Sequence, residues 1–161
     1  MPFLQLANIS SNKIKRLPRI EAPKLRKLNL NDNKIDDLSE FKGHHTLELL
    51  ELRKNRLKSI EGLKDMSSLI ELYLAENKLT SFEDLKGMPI LKKLHLRSNN
   101  IKKLPEILPE LPKLYHLNLR ENKLSNLKDL VRLSKYSGFL SLTVIANPML
   151  EEIGDVIFFH L

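Results

Sequence analysis

The chain has 161 residues, of which 42% are hydrophobic and 29% charged, with a formal net charge of +7 and neither cysteine nor tryptophan. This suits one folded domain, and no apolar run approaches the roughly 20 residues that a bilayer-spanning helix needs. The lack of cysteine points to a reducing, intracellular setting, and the moderate positive charge permits an acidic partner without requiring one.

In chain order, an eleven-residue pattern recurs. It is clearest at residues 91–101, Leu91-Lys-Lys-Leu94-His-Leu96-Arg-Ser-Asn99-Asn-Ile101, which reads L-x-x-L-x-L-x-x-N-x-L. Its asparagine recurs at Asn12, Asn33, Asn55, Asn77, Asn99, Asn122 and Asn147, at intervals of 21, 22, 22, 22, 23 and 25 residues. The first repeat carries Leu4, Ala7, Ile9 and Ile14, the second Leu25, Leu28, Leu30 and Ile35, and the third Leu47, Leu50, Leu52 and Leu57. The fourth uses Leu69, Leu72, Leu74 and Leu79, and the sixth Leu114, Leu117, Leu119 and Leu124. The seventh is looser, with Phe139, Leu142, Val144 and Met149.

Before each asparagine the apolar period is two, which predicts a short strand with one buried face. After it the period becomes three, as in Leu57, Ile60, Leu63 and Met66, or Leu124, Leu127, Leu130 and Leu133. That is the spacing of a 3₁₀-like turn. This is the signature of a leucine-rich repeat, and it implies an α/β solenoid: a horseshoe of seven repeats over 1–149, with short parallel strands on the concave side and 3₁₀ or irregular segments on the convex side. Each asparagine is expected to be buried, its amide serving the neighbouring turns.

Residues 150–161 read as the start of a cap, in which Met149, Ile153, Val156, Ile157 and His160 follow helical spacing weakened by Gly154. Repeat one lacks a polar cap and should present a raw apolar edge. On these grounds the sequence reads as a fragment cut at both ends.

Alternation within the strands sets out the candidate binding face. Its central column is Asn8, Asn29, Glu51, Tyr73, His95, Asn118 and Thr143. A second column holds Ser10, Asn31, Arg53, Ala75, Arg97, Arg120 and Ile145, and a third Lys27, Leu49, Glu71, Lys93 and His116. Strands about 4.8 Å apart make this a groove about 30 Å long, suited to an extended or helical segment of a partner protein. Glu51, Arg53, Glu71, Tyr73, His95, Arg97, His116, Asn118 and Arg120 are the candidate contacts, of types found at interface anchors. A basic ladder, Lys13, Lys34, Arg56, Lys78 and Lys123, is interrupted by Asn100 and is read as a solvated edge. It lacks the stacking aromatics of an RNA track.

The sequence contains no phosphate-cradling glycine loop, zinc-ligand spacing or nucleophile motif, so neither catalysis, a metal, a cofactor nor a small-molecule substrate is expected. His44-His45 is read as an exposed pair in a polar connection, and an open groove is expected to shift the pKa of Glu51, Glu71 or His95 little.

The succession Pro23-Lys-Leu-Arg-Lys-Leu-Asn-Leu, Leu50-Glu-Leu-Arg, Leu72-Tyr-Leu-Ala-Glu-Asn, Leu94-His-Leu-Arg and Leu117-Asn-Leu-Arg-Glu-Asn resembles the radial-spoke leucine-rich-repeat proteins of motile cilia. Tyr73, His95 and Asn118 discriminate, whereas the leucines are generic. That resemblance implies a structural subunit of the axoneme, held in a hetero-oligomeric assembly by radial-spoke or other axonemal proteins. The 22-residue class to which the repeats are similar also implies an alternative, a nuclear or cytosolic adaptor like the spliceosomal A-prime protein or a phosphatase-regulatory subunit.

Overall fold

The computed structural model describes residues 1–150. Seven three-residue strands, β1 (Leu6–Asn8), β2 (Lys27–Asn29), β3 (Leu49–Glu51), β4 (Glu71–Tyr73), β5 (Lys93–His95), β6 (His116–Asn118) and β7 (Ser141–Thr143), form one parallel sheet in sequence order. Register is the same at every step: Leu28 faces Leu50, Leu72 faces Leu94, and Leu94 faces Leu117. The middle residue of each strand therefore points into the stack and its two neighbours point out. Period two in the sequence has become one buried leucine column flanked by two outward columns.

Leu28, Leu50, Leu72, Leu94 and Leu117 are buried, as are the columns led by Leu25 and Leu30, and all belong to one apolar cluster. A buried leucine contributes about 1.5–3 kcal/mol, but only when the layers on both sides are in place.

The turn asparagines lock successive layers together. Asn77 Nδ2 donates to Leu52 O (2.9 Å) of the preceding repeat and to Leu74 O (3.1 Å) of its own, while Oδ1 accepts from Leu57 N (3.0 Å). Asn55, Asn99 and Asn122 repeat the arrangement. Six of the seven marker asparagines are buried and hydrogen-bonded. Asn12 departs from expectation. It is exposed and donates to Ile9 O and Ser10 O, and its Oδ1 accepts from no backbone N–H among the described residues. The residue before each asparagine is left-handed, with φ of 54–57° from Ser11 through Lys54 to Ala146, although none is glycine. A conformation disfavoured for L-residues is held by bonds from both sides of the turn.

On the convex side the residues of period three, Ile60, Leu63 and Met66, or Phe82, Leu85 and Met88, are buried in irregular turns. Repeat six is longer and forms a 3₁₀ segment at Leu127–Lys135, capped by Asn126, whose side chain accepts from Lys128 N. Its Arg132 and Lys135, and Tyr136 beyond it, donate to Leu104 O, Leu108 O and Pro109 O of the preceding repeat. No α-helix occurs among the described residues. Gly43 shows how tight the convex packing is: at φ +77°, a Cβ there would stand 1.9 Å from Lys64 O.

The edge of β1 carries apolar side chains in water, with Phe3 77% and Leu6 63% exposed. Met149 is buried in the 3₁₀ turn Pro148–Leu150. The expected closing helix over Ile153, Val156, Ile157 and His160 lies outside the described residues.

Candidate functional site

The concave face is built from the two outward columns of the strands and the residues just after them. Identical register brings side chains 22 or 23 residues apart in sequence to adjacent positions in space, so each column is continuous.

In β4 to β7 the central and flanking columns merge into one network. Tyr73 stacks on His95 with ring centroids 4.4 Å apart and planes 14° from parallel. His95 in turn meets His116 at 4.9 Å, and the His116 Nδ1 lies 2.9 Å from the Ser141 hydroxyl. Below the stack, Glu71 accepts from the Tyr73 hydroxyl (2.6 Å) and from Lys93 Nζ (3.0 Å). All five of these side chains, Glu71, Tyr73, Lys93, His95 and His116, are half-buried. Aromatic pairs of this geometry add stability beyond their buried area and hold the rings in a fixed row.

The electrostatics follow from that packing. Burial pushes the His95 imidazole down to about 4, with the His116 ring beside it acting in the same direction. His116 is also lowered, again mainly by burial and then by Lys93. The hydrogen bond from Tyr73 holds the Glu71 carboxyl below its ordinary value, and burial followed by Glu71 raises the Tyr73 hydroxyl. At neutral pH the row is therefore two uncharged imidazoles and a phenol, flanked by a carboxylate and an ammonium. The expectation that an open groove would shift Glu71 and His95 little does not hold, since both are lowered. Three aromatic rings in adjacent rungs desolvate one another, which single-residue periodicity does not reveal.

The column beside it is cationic but paired. Arg53 bonds Glu76 (2.6 Å from Nε), and Arg97 grips Glu121 through both Nε (3.0 Å) and Nη2 (2.9 Å). Arg120 reaches the same carboxylate at 3.0 Å, and the Ser98 hydroxyl completes it. With Arg97 as the largest cause and Ser98 next, the Glu121 carboxyl is held at about 2. Sequence reasoning singled out Arg53, Arg97 and Arg120 but missed Glu76 and Glu121. The signal was available: each acid sits just before its turn asparagine, one repeat beyond the arginine it holds.

Toward β1 the face is amide-rich. Asn29 Oδ1 accepts from Asn31 N, Asn31 Nδ2 donates to Glu51 Oε2 (2.5 Å), and Asn31 Oδ1 accepts from Arg53 N (2.8 Å). Asn118, far along the same column, accepts from Arg120 N (3.0 Å). Ala75, placed in the second column, is buried and adds nothing to the surface.

Two further groups singled out in the sequence lie off the concave face. The ladder Lys13, Arg56, Lys78 and Lys123 is exposed and Lys34 half-buried, with Asn100 half-buried in the gap. His45 is exposed, but His44 is buried, not exposed as expected: it tucks its ring beside Thr46 Oγ1 (3.3 Å), and burial lowers its pKa. The His44 ring reaches the backbone of Ala22, so one imidazole of an otherwise solvated connection ends up buried.

Comparison with known proteins follows the same lines. The family described as "Leucine rich repeat" matches residues 23–79 and again 45–101, and "Leucine Rich repeats (2 copies)" matches residues 2–43. No curated protein matches the chain. Among solved structures, an internalin (inlF) from Listeria monocytogenes superposes with a TM-score of 0.61 at 21% identity, over 89% of this chain and 48% of its own. Internalin C2 of the same organism gives a TM-score of 0.51 at 22% identity, over 93% of this chain and 77% of its own. The chain spans about half the length of the first. At such identities the likeness is one of fold: a parallel-strand solenoid with little helix.

Proposed function

Because the chain belongs to the leucine-rich repeat family, we propose that it is a non-catalytic scaffold that holds a partner protein on its concave face. No catalytic family is indicated among the matches. The observation that carries the proposal is the row Tyr73–His95–His116: three aromatic rings stacked across neighbouring strands, half-buried in the open groove and braced by Glu71 and Lys93. Rigid aromatics lose little conformational freedom on contact, and they are the usual centres of binding energy in interfaces. Arg97 and Arg120, already fixed by Glu121, form a polar rim beside the row.

The finer assignment is a subunit of the ciliary or flagellar axoneme, in the radial spoke, among cytoskeletal partners. What supports it is the succession of polar strand residues, Tyr73, His95 and Asn118 among them, that resembles spoke proteins. The matched family and the solved structures speak to the repeat and the fold only.

A tagged full-length protein expressed in ciliated cells tests both levels. Axonemal localisation is expected, together with capture of spoke subunits that is lost when Tyr73→Ala and His95→Ala are combined. Nuclear accumulation, or co-purification with a phosphatase, would sink the spoke assignment and favour the adaptor alternative. Undiminished capture by a folded double variant would remove the concave row as the docking site.

A further inference from the structure

The net charge of this protein is not spread over it. After each turn asparagine the chain runs extended along one long edge of the solenoid, its backbone N–H bonded to the preceding turn: Lys34 N to Ile14 O, Arg56 N to Ile35 O, Lys78 N to Leu57 O and Lys123 N to Ile101 O, at 2.8–2.9 Å. The second residue of this run is the apolar Ile14, Ile35, Leu57, Leu79, Ile101 or Leu124, which turns inward, so the residues on either side of it face out. The first positions hold Lys13, Lys34, Arg56, Lys78 and Lys123. The third and fourth add Lys15, Arg16, Lys58, Lys102 and Lys103. Over the first six repeats these ten cations meet two acids at the same positions, Asp36 and Asp37, a net of +8 beside +7 for the whole chain. The rest of the molecule is close to neutral.

Pairing divides the same way. On the concave side Arg53, Lys93, Arg97 and Arg120 each have a carboxylate within 4 Å. On this edge only Arg16 (3.8 Å, to Asp37) and Lys103 (3.3 Å, to Glu106) do, among the described residues. Rungs about 4.8 Å apart lie within a Debye length, about 8 Å at physiological salt, so the unpaired cations raise one another's potential. A surface that needed only solubility would intersperse acids, as the concave side does. Nor does the charge guard an unpaired sheet edge, since the backbone here is already bonded rung to rung.

We propose that this edge is a second interaction surface, which binds an acidic, extended polypeptide segment of a partner protein lying along the solenoid. Long lysine stems absorb the difference between the rung spacing and the spacing of carboxylates on one side of an extended chain, about 6.8 Å. Nucleic acid fits less well. None of the outward positions on this edge is aromatic, so bases have no stacking platform, and no helix projects from it into a groove. The surface is independent of concave docking, and either can fail alone.

Fluorescence anisotropy with the full chain decides the matter, using a labelled oligoglutamate long enough to cross four rungs and a single-stranded oligonucleotide of equal charge. At physiological salt the oligoglutamate binds, and binding weakens as salt rises. Combined Arg56→Gln, Lys78→Gln and Lys123→Gln, which leave the buried residues untouched, weaken it about tenfold. Arg53→Gln with Arg97→Gln, on the concave side, leaves it within about twofold. No binding at low salt, equal binding by the edge variant, or an oligonucleotide held about tenfold tighter than the oligoglutamate would each overturn the proposal, the last in favour of nucleic acid.

Discussion

The turn column and the concave column share one period and use it in opposite ways. At the turn the same residue type recurs seven times, and in six of the seven it is buried with its amide bonds filled, as in Asn77 with Leu52 O, Leu74 O and Leu57 N. On the concave face, four residues earlier in each repeat, the types change at every step: Asn29, Glu51, Tyr73, His95, Asn118. A position enclosed by two layers has its chemistry dictated by fixed backbone groups. One that meets a layer on each side but solvent in front is free to vary, and that freedom is where a repeat protein becomes specific.

Breaking the layers should cost most. Leu72→Ala, at a fully buried site in the middle of the stack, is expected to cost about 2–5 kcal/mol in a denaturant melt. A cost below about 1 kcal/mol would mean the layers do not support one another.

Next comes Asn77→Ala, which leaves Leu57 N without a partner and takes one of two asparagine donors from Leu52 O and from Leu74 O, which keep Asn55 and Asn99. About 1–3 kcal/mol is expected, with partner binding unchanged once the protein is folded. An unmoved melting midpoint would deny the turn column its role.

Acid probes the concave column. Above pH 6.5, the ordinary histidine value, His95 is neutral in both folded and unfolded chains and costs nothing. As pH falls the unfolded chain takes the proton first, and stability drains until the folded ring also protonates at about 4. The loss over that window is about 1–2 kcal/mol, after discounting for partial exposure. His116, lowered likewise, adds in the same direction, and Glu71, lowered by Tyr73, adds below its own ordinary value. Thermal melts of wild type and His95→Phe, which keeps the stack but cannot protonate, should converge at pH 4 to a smaller difference from pH 7 in the variant. Equal acid sensitivity would show that the stack does not desolvate His95.

The smallest effect sharpens the comparison at its margin. Asn12→Ala, at an exposed turn whose asparagine bonds only to Ile9 O and Ser10 O of its own loop, is expected to change stability by less than about 0.5 kcal/mol. A cost equal to that at Asn77 would show that the amide matters within its own turn and not between layers.

Much of this was written in the chain. The leucine spacing, the asparagine markers and the change from period two to period three name the strands, the turns and the core, because each repeat carries its own local instructions. Period three reads alike in Leu57, Ile60, Leu63 and Met66 and in Leu124, Leu127, Leu130 and Leu133, but of these two runs only the lengthened sixth repeat forms a 3₁₀ segment. The outward columns were also legible residue by residue. What only the tertiary structure decided was which neighbours those outward residues acquire: the Tyr73–His95–His116 row and its neutral imidazoles, the clasp of Glu121 on Arg97 and Arg120, the burial of His44 and the exposure of Asn12. Periodicity fixes the direction in which a side chain points. Desolvation and pairing depend on what stands one rung away, and that is settled when the layers stack.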